Sequence, residues 1–518
     1  MKIRFILFFS LILLISVTSC HDDEDIIKDR TDFLWYTLIE DEGNSNKSRA
    51  FLIQDNTIHV MAPLHSDLTS LIPVFSINGE SVYVDEEEQR SGKIIHDFSD
   101  FTNPLTYRVV SSLQEEKEWT VNVYDLPVLI INTPDGEPII DKENRKEGCT
   151  MQLVNLDGSI EDLGTAGIRG RGQTSWELDK KPYNIKLDKK HEILGMEKSK
   201  HWILLANCYY DRTQLHNATA FEMARLTDFP WVQSGRFVEL ILNGTHLGLY
   251  YLCEKIRVEK GKIEITEMTS EDLSGEELTG GYLLESYVDY GTYAFDGYPF
   301  QTDYFNRTGY DWENWLAWEI KSPDSGFIIP QEQFNYIKSA MNHMESLIYD
   351  DDKLLSGAYR DFLDIETAIN WYLVEEASTN EEAVRSKNIY LYKDRNDKFR
   401  FGPPWDFDAW SFGQATIEWH SCNSWCLYYS QLLKDPVFIK RLKEKWAIYY
   451  PLWRERIPQF IDTNMLNILR SAQRNEQMWP DWTGVNHYPM EDYDDYVEDM
   501  MDDFVKHIDW LNEEIQKY

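Results

Sequence analysis

The sequence predicts an α+β protein in which a small all-β region precedes a larger mixed region. Short runs of β-forming residues recur between residues 37 and 124, separated by Asn, Asp, Gly, Ser and Pro. From residue 128 onward, strand-like and helical patterns are mixed, and the chain beyond residue 427 is mostly helical in character. A chain of 518 residues is long enough for two or three domains, so both regions fit within it.

The charge balance of the chain limits the kinds of molecule that we expect the protein to bind. The chain carries 51 basic and 89 acidic residues, which give a formal net charge of −38. Nucleic acids and anionic lipid surfaces are bound by basic patches, so we expect no nucleic-acid partner. The 18 Trp and 30 Tyr residues suit either a large core or stacking against sugars or bases.

The first twenty residues predict export. Lys2 and Arg4 precede an apolar run at residues 5–17, which is followed by small residues and Cys20. This order is typical of a secretory signal, and its end resembles a bacterial lipobox, which implies a lipid on Cys20. An ordinary signal peptide cleaved nearby is the alternative. We interpret residues 1–20 as a lipoprotein signal peptide and residues 21–36 as an acidic tether. Such tethers mark lipoproteins on the outer-membrane surface, so the predicted anchor is the lipid on Cys20.

The cysteines exclude a complete disulfide framework. Without Cys20 the chain has five of them, an odd number. Their positions are Cys149, Cys208, Cys253, Cys422 and Cys426. Cys422 and Cys426 have the spacing for one disulfide in an oxidising compartment, while most of the five are expected to be small buried residues.

The first folded region, residues 37–125, is predicted to be a β-sandwich. Its later strands, TNPLTYRVVSS and EWTVNVYDLP, resemble immunoglobulin-like modules that precede catalytic or binding domains in surface lipoproteins. It contains no cluster of His, Cys or paired acids, so we interpret it as a spacer. Asp125-Leu126-Pro127 marks the boundary, and residues 127–518 form the second predicted domain.

The second region opens with strands and continues into helices. Residues 236–242 and 247–253 predict a hairpin around Asn243-Gly244, a strong turn dipeptide. Asp364 is expected to cap a helix, and a hairpin at residues 388–404 follows it. The acidic stretch at residues 491–503 is interpreted as the solvated face of a helix.

That hairpin leads to Asp406 and Asp408, which lie within GPPWDFDAWSFG. If this segment is extended, its period of two places both carboxylates on one face. Paired carboxylates repel unless a proton or cation lies between them, and Mg²⁺ binds such groups together with phosphates. The alternative is a strand with two solvated acids. The four aromatic residues around the pair favour a metal site over that alternative.

Five segments in order resemble the spore-coat CotH kinase family, an atypical kinase-like group with two lobes. They are GIRGRGQTSWELDKKPYNIKL, LLANCYYDRTQLHN, NGTHLGLYYLCEKI, GGYLLE and GPPWDFDAWSFG. The resemblance covers the chain from about residue 128 onward. It implies a kinase-like two-lobed domain that follows the immunoglobulin-like sandwich.

The resemblance also implies a set of nucleotide-binding residues. Phosphoryl transfer needs basic groups on the phosphates. Arg169 and Arg171 would contact them from a flexible loop, and Lys186 would reach them from a strand, with Lys181 as a second candidate. Two acids would complete the set: Glu254 paired with the lysine and Glu285 near the nucleotide. Each of the two has the alternative of a partly buried structural acid.

The resemblance also implies catalytic and metal-binding residues, because these occur along the chain in the same order as in ordinary kinases. Glu382 takes the position of the base, Asn388 that of the metal-binding asparagine, and Asp406 that of the metal-binding aspartate, with Asp408 assisting. The family pattern has an aspartate where this chain offers Asn380-Glu381-Glu382. The additional methylene of Glu382 is expected to weaken catalysis.

The leading hypothesis is therefore an outer-membrane lipoprotein with an atypical protein kinase domain. It would bind ATP with Mg²⁺ or Mn²⁺ and phosphorylate a hydroxyl group on a protein or glycan acceptor. ATP is scarce outside the inner membrane, which also favours a rival hypothesis, a non-catalytic surface binding or scaffold protein associated with glycans. A glycosyltransferase-like use of Asp406-Phe407-Asp408 is a weaker third hypothesis, because the Gly-rich signature is missing.

Overall fold

The structure is a computed structural model of the chain. It describes residues 28–40, 47–207, 211–288, 298–306, 316–323, 328–384, 386–413, 420, 426–480 and 493–518. Within these ranges the chain forms a β-sandwich, a closed β-barrel, and a mixed region of one sheet and several helices. The α+β class and the leading all-β module are confirmed.

The sandwich contains eight described strands that pair as one series. In chain order they are β1 (Phe33–Ile39), β2 (Lys47–Gln54), β3 (Thr57–Met61), β4 (Ile72–Ile77), β5 (Ser81–Val84), β6 (Glu87–Glu88), β7 (Thr106–Val110) and β8 (Glu116–Tyr124). Their spatial order is β4-β1-β2-β3-β8-β7-β5-β6. Alternate residues of β8 are buried, as expected for a strand with one face on the core. Because β1 begins at Phe33, the sandwich starts slightly before the boundary expected at residue 37.

The barrel follows directly and is closed by seven strands. They are β9 (Val128–Asn132), β10 (Lys146–Val154), β11 (Ile160–Gly170), β12 (Tyr183–Ile193), β13 (Met196–Leu205), β14 (Gly235–Leu242) and β15 (Thr245–Glu254). The expected hairpin at Asn243-Gly244 is present, and both turn residues have positive φ, as a two-residue turn of this kind requires. Helices α1 (Thr174–Glu177) and α2 (His216–Arg225) lie between barrel strands in the chain.

The barrel has two unlike faces. Its interior is an apolar core that includes Ile185, Trp202 and Leu252. Residues that alternate with these on β13 and β15, such as Ile203 and Cys253, point outward. They belong to the same apolar cluster as the helical region. One part of the outer face therefore supports the rest of the domain.

The mixed region contains a five-stranded sheet of β16 to β20 and most of the helices. The strands are β16 (Tyr282–Val288), β17 (Tyr298–Phe300), β18 (Leu316–Ser322), β19 (Tyr390–Lys393) and β20 (Phe399–Phe401). The helices are α3 (Gln331–Ile348), α4 (Asp351–Ser356), α5 (Ile365–Ala377), α6 (Glu381–Val384), α7 (Tyr429–Leu432), α8 (Pro436–Met478) and α9 (Tyr493–Ile515). Two 3₁₀ turns lie at Glu277–Thr279 and Ala358–Asp361.

Local sequence explains two of these helices. Asp364 caps α5 by accepting a hydrogen bond from the Thr367 amide at 2.9 Å, as its sequence position predicts. In α9, Val497, Met500 and Phe504 are buried, whereas Asp494 and Asp495 are exposed. The acidic stretch is thus the solvated face of an amphipathic helix.

Helix α8 holds the sandwich against the larger region. Arg474 donates to the carbonyl oxygen of Val123 at 2.7 Å, and Arg470 pairs with Asp125 at 3.1 Å. One residue further, the Asn475 side chain accepts from the amide of Leu249 in the barrel at 3.2 Å. The sandwich and the barrel therefore contact the same turn of one helix.

Several sequence predictions concern residues outside the described ranges. These are the signal segment with Cys20, together with Cys208 and Cys422. Cys149 and Cys253 are buried thiols. Among the described residues, no helix is long and apolar enough to cross a membrane.

Candidate functional site

The segment that carries Asp406 is a bent loop after β20, not the extended strand that we considered. Asp406 has φ of 74°, and Trp410 and Phe412 also have positive φ. For residues other than glycine this conformation costs roughly 1–3 kcal/mol each, so the surrounding structure must impose it. Trp405 stacks on Phe221 with ring centroids 5.7 Å apart, which anchors one end of the loop. This stacking of Trp405 on Phe221 therefore helps to hold the strained loop in place.

Hydrogen bonds from a distant segment fix the centre of this loop. The amide of Phe407 donates to the side chain of Asn217, the second residue of α2, at 3.1 Å. Asp211 accepts from the His216 amide at 3.0 Å and from the Thr213 hydroxyl at 2.8 Å. Asp211 thus orients the start of α2, and α2 in turn orients Phe407.

The four predicted catalytic and metal-binding residues lie together. The Asn388 amide donates to a carboxylate oxygen of Asp406 at 2.6 Å and more weakly to Glu382 at 3.3 Å. Asp408 lies close enough to Asp406 to shift the pKa of that carboxyl group. Two ionised carboxylates this close repel each other, and a proton or a cation between them relieves the repulsion.

Asn380 connects this cluster to a buried acid that the sequence did not mark. Its amide nitrogen donates to Glu375 at 2.8 Å, and its oxygen accepts from the backbone amide of Glu382 at 3.0 Å. Burial raises the pKa of Glu375 well above its usual range, and the neighbouring carboxylates Glu376 and Asp406 add to this effect. Asn380 therefore positions Glu382 and does not replace it.

The electrostatics of the cluster favour a cation. Burial raises the pKa of Asp408 well above its usual range, and the charges of Asp406, Glu382 and Asp211 raise it further. The pKa of Asp406 is also raised, mainly by burial, although Arg171 opposes this shift. Lys387 also lowers the pKa of Asp406, but burial outweighs both cations, and a bound cation would reduce that cost further.

The two predicted loop arginines have different surroundings. The Arg171 guanidinium lies 5.3 Å from the centre of the Trp405 ring and lowers the pKa values of both aspartates. Arg169 instead donates to the carbonyl oxygen of Glu143 at 2.9 Å. Only Arg171 is placed beside the aspartate cluster.

The two predicted lysines also differ. Lys181 donates to the carbonyl oxygen of Trp176 at 2.6 Å and lies 5.3 Å from the centre of that ring. Lys186 is exposed on the outer face of β12, directly opposite His201 of β13. The side chains of β12 alternate, with Tyr183, Ile185 and Leu187 inside the barrel and Lys186 outside.

Glu254 has a different partner from the one predicted. One of its oxygens accepts from the Ser234 amide at 2.9 Å, and the other lies 3.7 Å from Lys262. Burial raises the pKa of Glu254 and lowers that of Lys262, while each residue opposes the shift in the other. Glu254 therefore pairs with Lys262, not with Lys181 or Lys186.

Glu285 belongs to a buried ionic network. It faces Glu319 across β16 and β18, and Lys321 contacts the two carboxylates at 3.1 and 3.0 Å. The hydroxyls of Tyr390 and Tyr287 donate to Glu285 at 2.6 and 2.8 Å. Lys321 was not recognised from the sequence, because only strand register brings it beside Glu285.

The available donors fit a hard divalent cation only in part. Among the described residues, no group of three or more His, Cys, Asp or Glu side chains is arranged to hold a metal ion. Asp406, Asp408 and Asn388 nevertheless offer two carboxylates and an amide oxygen, and Mg²⁺ often binds through one or two carboxylates with waters and phosphates. Asn388 now presents its nitrogen to Asp406, and an asparagine amide is able to present either end.

Comparisons with known proteins give two family matches. The sandwich, over residues 44–123, matches the model described as "SGBP, N-terminal". Residues 168–517, which begin near the end of β11 and include the rest of the barrel and the mixed region, match the model described as "CotH kinase protein".

No curated protein matches the chain. One solved structure, described as a "putative glycoside hydrolase" from Bacteroides thetaiotaomicron, is 17% identical. The match covers 40% of this chain and 42% of that one at a TM-score of 0.15, which is too low to carry an argument. The CotH match alone covers more than half of the residues, and the chain therefore belongs to the CotH kinase protein family.

Proposed function

We propose that the protein binds a nucleotide together with a divalent cation at Asp406 and transfers a phosphoryl group to a hydroxyl acceptor. The observation that carries this proposal is the junction of Glu382, Asn388, Asp406 and Asp408. Three carboxylates and an amide converge there, and the raised pKa of Asp408 reflects burial and repulsion that a cation would relieve.

Asp406, Asp408 and the oxygen of Asn388 are the residues that would hold Mg²⁺ or Mn²⁺. When bound, the cation supplies positive charge that neutralises the phosphates of ATP or a related nucleotide. Binding would relieve the repulsion between the two aspartates.

Two further residues act on the substrates. Arg171 would bind phosphate oxygens, since its guanidinium already lies beside the aspartates and is held by stacking on Trp405. Glu382 would accept the proton of the attacking hydroxyl at its carboxylate. The hydrogen bonds to Asn380 and Asn388 position Glu382 for that role.

Calorimetry with Mg²⁺ and ATP on the protein without residues 1–20 tests this proposal. We expect metal-dependent binding to the unaltered protein and its loss in Asp406→Ala. Asp502→Asn, at an exposed aspartate in α9, is the matched control and should bind normally. The proposal is wrong if the unaltered protein binds no nucleotide with Mg²⁺ or Mn²⁺, or if Asp406→Ala binds equally well.

A second measurement separates binding from catalysis. Transfer of labelled phosphate from ATP to a casein-type acceptor should require Glu382, and Glu382→Gln should still bind nucleotide while transfer falls about a hundredfold. Equal transfer by Glu382→Gln would remove Glu382 from the base position.

A second candidate function is glycan binding through the sandwich. In β1, a register shift between Phe33 and Trp35 turns two consecutive apolar side chains outward. Leu34 is 52% and Trp35 49% exposed. An exposed indole suits stacking on a sugar ring. On a glycan array, selective binding that Trp35→Ala abolishes and Leu113→Ala preserves would support this function. Absence of any selective binding would exclude it.

We also propose that the protein is lipid-anchored at Cys20 on the surface of the outer membrane. The support comes from the order of residues 1–25 alone. Cys20→Ser should move the full-length protein out of the membrane fraction. A membrane-bound Cys20→Ser variant would contradict a lipid anchor at this residue.

A further inference from the structure

The segment that carries Asn388 is held from one side by Ser286, a buried serine of β16. The backbone amide of Ser286 donates to the carbonyl oxygen of Ile389 at 2.9 Å, and its carbonyl oxygen accepts from the Asn388 amide at 3.1 Å. Its hydroxyl donates to the carbonyl oxygen of Ser386 at 2.7 Å and accepts from the Ile389 amide at 3.0 Å. Ser286 thus bonds to three residues of this short stretch. We call residues 386–389 the asparagine segment.

The backbone of the asparagine segment needs such support. Ser386 and Asn388 have φ of 56° and 58°, in the left-handed region. Residues other than glycine rarely adopt that region, so contacts with other parts of the chain must impose it. The Ser286 hydroxyl is suited to this because a hydroxyl donates and accepts at the same time. An alanine at this position could do neither.

The strand that carries Ser286 is a firm support. β16 is the central strand of the five-stranded sheet, between β18 and β19, and Ser286 faces Trp318 of β18. The preceding residue, Glu285, is held by Lys321 and two tyrosine hydroxyls. Sites supported by strands are held more precisely than sites on loops alone. Ser286 therefore ties the asparagine segment to the sheet.

Ser386 ties the same segment to the helical side of the domain. Its hydroxyl accepts from the Leu427 amide at 2.9 Å. Leu427 lies two residues before α7 and belongs to the apolar cluster of the helices. The asparagine segment is thus attached at two sides through two buried serines.

These bonds hold the backbone of Asn388 and leave its side chain to the acids. The Asn388 amide group lies 2.6 Å from a carboxylate oxygen of Asp406 and 3.3 Å from one of Glu382. Rotation about the last side-chain bond exchanges the nitrogen and the oxygen of an amide without moving the backbone. A fixed backbone therefore keeps Asn388 within reach of Asp406 while its oxygen turns toward a cation.

We infer that Ser286 is a positioning residue that holds Asn388 at the cation site, and this inference rests on the proposed function. Side chains that orient a metal ligand without touching the metal typically change metal affinity by about ten- to a hundredfold when they are removed. Ser286 belongs to this class, because its contacts reach Asn388 only through the backbone.

The test is the Mg²⁺ dependence of ATP binding, measured by equilibrium dialysis on the protein without residues 1–20. In Ser286→Ala, the Mg²⁺ concentration at half-saturation should rise about tenfold, and binding should reach the same end point. A merely structural defect would lower the end point, because less protein is folded, and leave the half-saturation concentration unchanged. Ser111→Ala is the matched control, since the hydroxyl of this buried serine in the sandwich accepts two backbone hydrogen bonds. It should show neither change.

Ser386→Ala is a second variant that removes only the bond from Leu427. It should raise the half-saturation concentration by a smaller factor, about threefold. Hydrogen exchange of the metal-free protein gives a readout without nucleotide. In Ser286→Ala the Ile389 amide loses its acceptor, so its exchange should be at least about tenfold faster than in the unaltered protein.

The outcomes separate this inference from the proposed function. If the unaltered protein binds ATP with Mg²⁺, the inference alone is overturned by an unchanged half-saturation concentration in both serine variants. Unchanged exchange of the Ile389 amide in Ser286→Ala, or a lower end point without a shift, overturns it as well. If the unaltered protein shows no Mg²⁺-dependent binding of ATP, the proposed function and this inference fail together.

Discussion

The mixed region contains two pairs of neighbouring carboxylates. The two pairs differ in whether other side chains of the protein compensate their negative charge. Glu285 and Glu319 are brought together by strand register, and Lys321 lies between them. Burial alone would raise the pKa of Glu285, but Lys321 and two tyrosine hydroxyls outweigh it, so this pKa is lowered. Asp406 and Asp408 are brought together by a strained loop, and both have raised pKa values.

The difference shows which pair the polypeptide completes by itself. A buried carboxylate pair with an internal lysine and hydroxyl donors is already stabilised by its own protein partners, which indicates a structural role. A pair whose two pKa values are both raised gains from any cation that enters from solvent. The comparison therefore assigns Glu285 to the framework of the site and Asp406 to its chemistry.

The largest expected effect is the loss of Lys321. Lys321→Met would leave two buried carboxylates without their cation, which should lower the free energy of unfolding by about 3–5 kcal/mol. Urea denaturation followed by tryptophan fluorescence measures this loss. Lys440→Met is the control, because its side chain is 79% exposed, and it should change stability by less than about 0.5 kcal/mol. A similar small change in Lys321→Met would refute the structural assignment of the Glu285 pair.

A single buried carboxylate, Glu345, adds a third case to the comparison, because burial favours its protonated form. Burial raises the pKa of Glu345 to about 7, and the Tyr428 hydroxyl donates to it at 2.8 Å. Since the folded-state pKa exceeds the unfolded value near 4.5, stability should fall as pH rises from about 4.5 to about 7 and then level off. At 1.36 kcal/mol per pKa unit, the loss is of the order of 3 kcal/mol.

Glu345→Gln should remove this pH-dependent loss in the free energy of unfolding. Urea denaturation at pH 5 and pH 8 measures it, and the difference between the two pH values should shrink in Glu345→Gln but not in Glu332→Gln. Glu332 is an exposed glutamate in the first turn of the same helix. An unchanged pH difference in Glu345→Gln would show that Glu345 is ionised in the folded protein at neutral pH.

We expect added Mg²⁺ to stabilise the folded protein by binding at Asp406 and Asp408, and not at Glu285 and Glu319. At about 100 times its dissociation constant, Mg²⁺ should stabilise the folded protein by about 2.7 kcal/mol. Thermal unfolding with and without Mg²⁺ should show this gain in the unaltered protein and its absence in Asp406→Asn. An equal gain in both would place the cation elsewhere.

The smallest expected effect is a gain of stability in the absence of metal. Asp408→Asn should raise the free energy of unfolding by about 1 kcal/mol at pH 8 with a chelator, because its amide donates to Asp406 without a shared proton. Glu319→Gln, the equivalent change in the other pair, should instead destabilise the protein, because it removes a partner of Lys321. The same sign for both variants would contradict the contrast between the pairs.

Much of the fold follows from local patterns. The Asn243-Gly244 hairpin, the Asp364 cap and the hairpin before Asp406 were predictable because each depends on a few adjacent residues. Glu382, Asn388 and Asp406 were grouped by their order in a family pattern, and their side chains do lie together, while their catalytic and metal-binding roles stay predictions.

The ion-pair partners of two other predicted site residues, Glu285 and Glu254, could not be predicted from local patterns. Lys321 meets Glu285, and Lys262 meets Glu254, only through strand register and packing. The loop at Asp406 was considered as a strand, because nothing in its sequence shows that Asn217 holds the Phe407 amide.

By itself, the sequence determined the order of modules, the turns and the caps, and its resemblance to a family named the acids near Asp406. The turns and caps depend on local backbone preferences and on side-chain chemistry that each residue carries with it. The tertiary structure alone decided which acids are neutralised. Charge compensation depends on distances between segments far apart in the chain, and those distances exist only after the barrel, sheet and helices have packed. For that reason Glu285 has a lysine within 3.1 Å, whereas the pKa values of Asp406 and Asp408 remain raised.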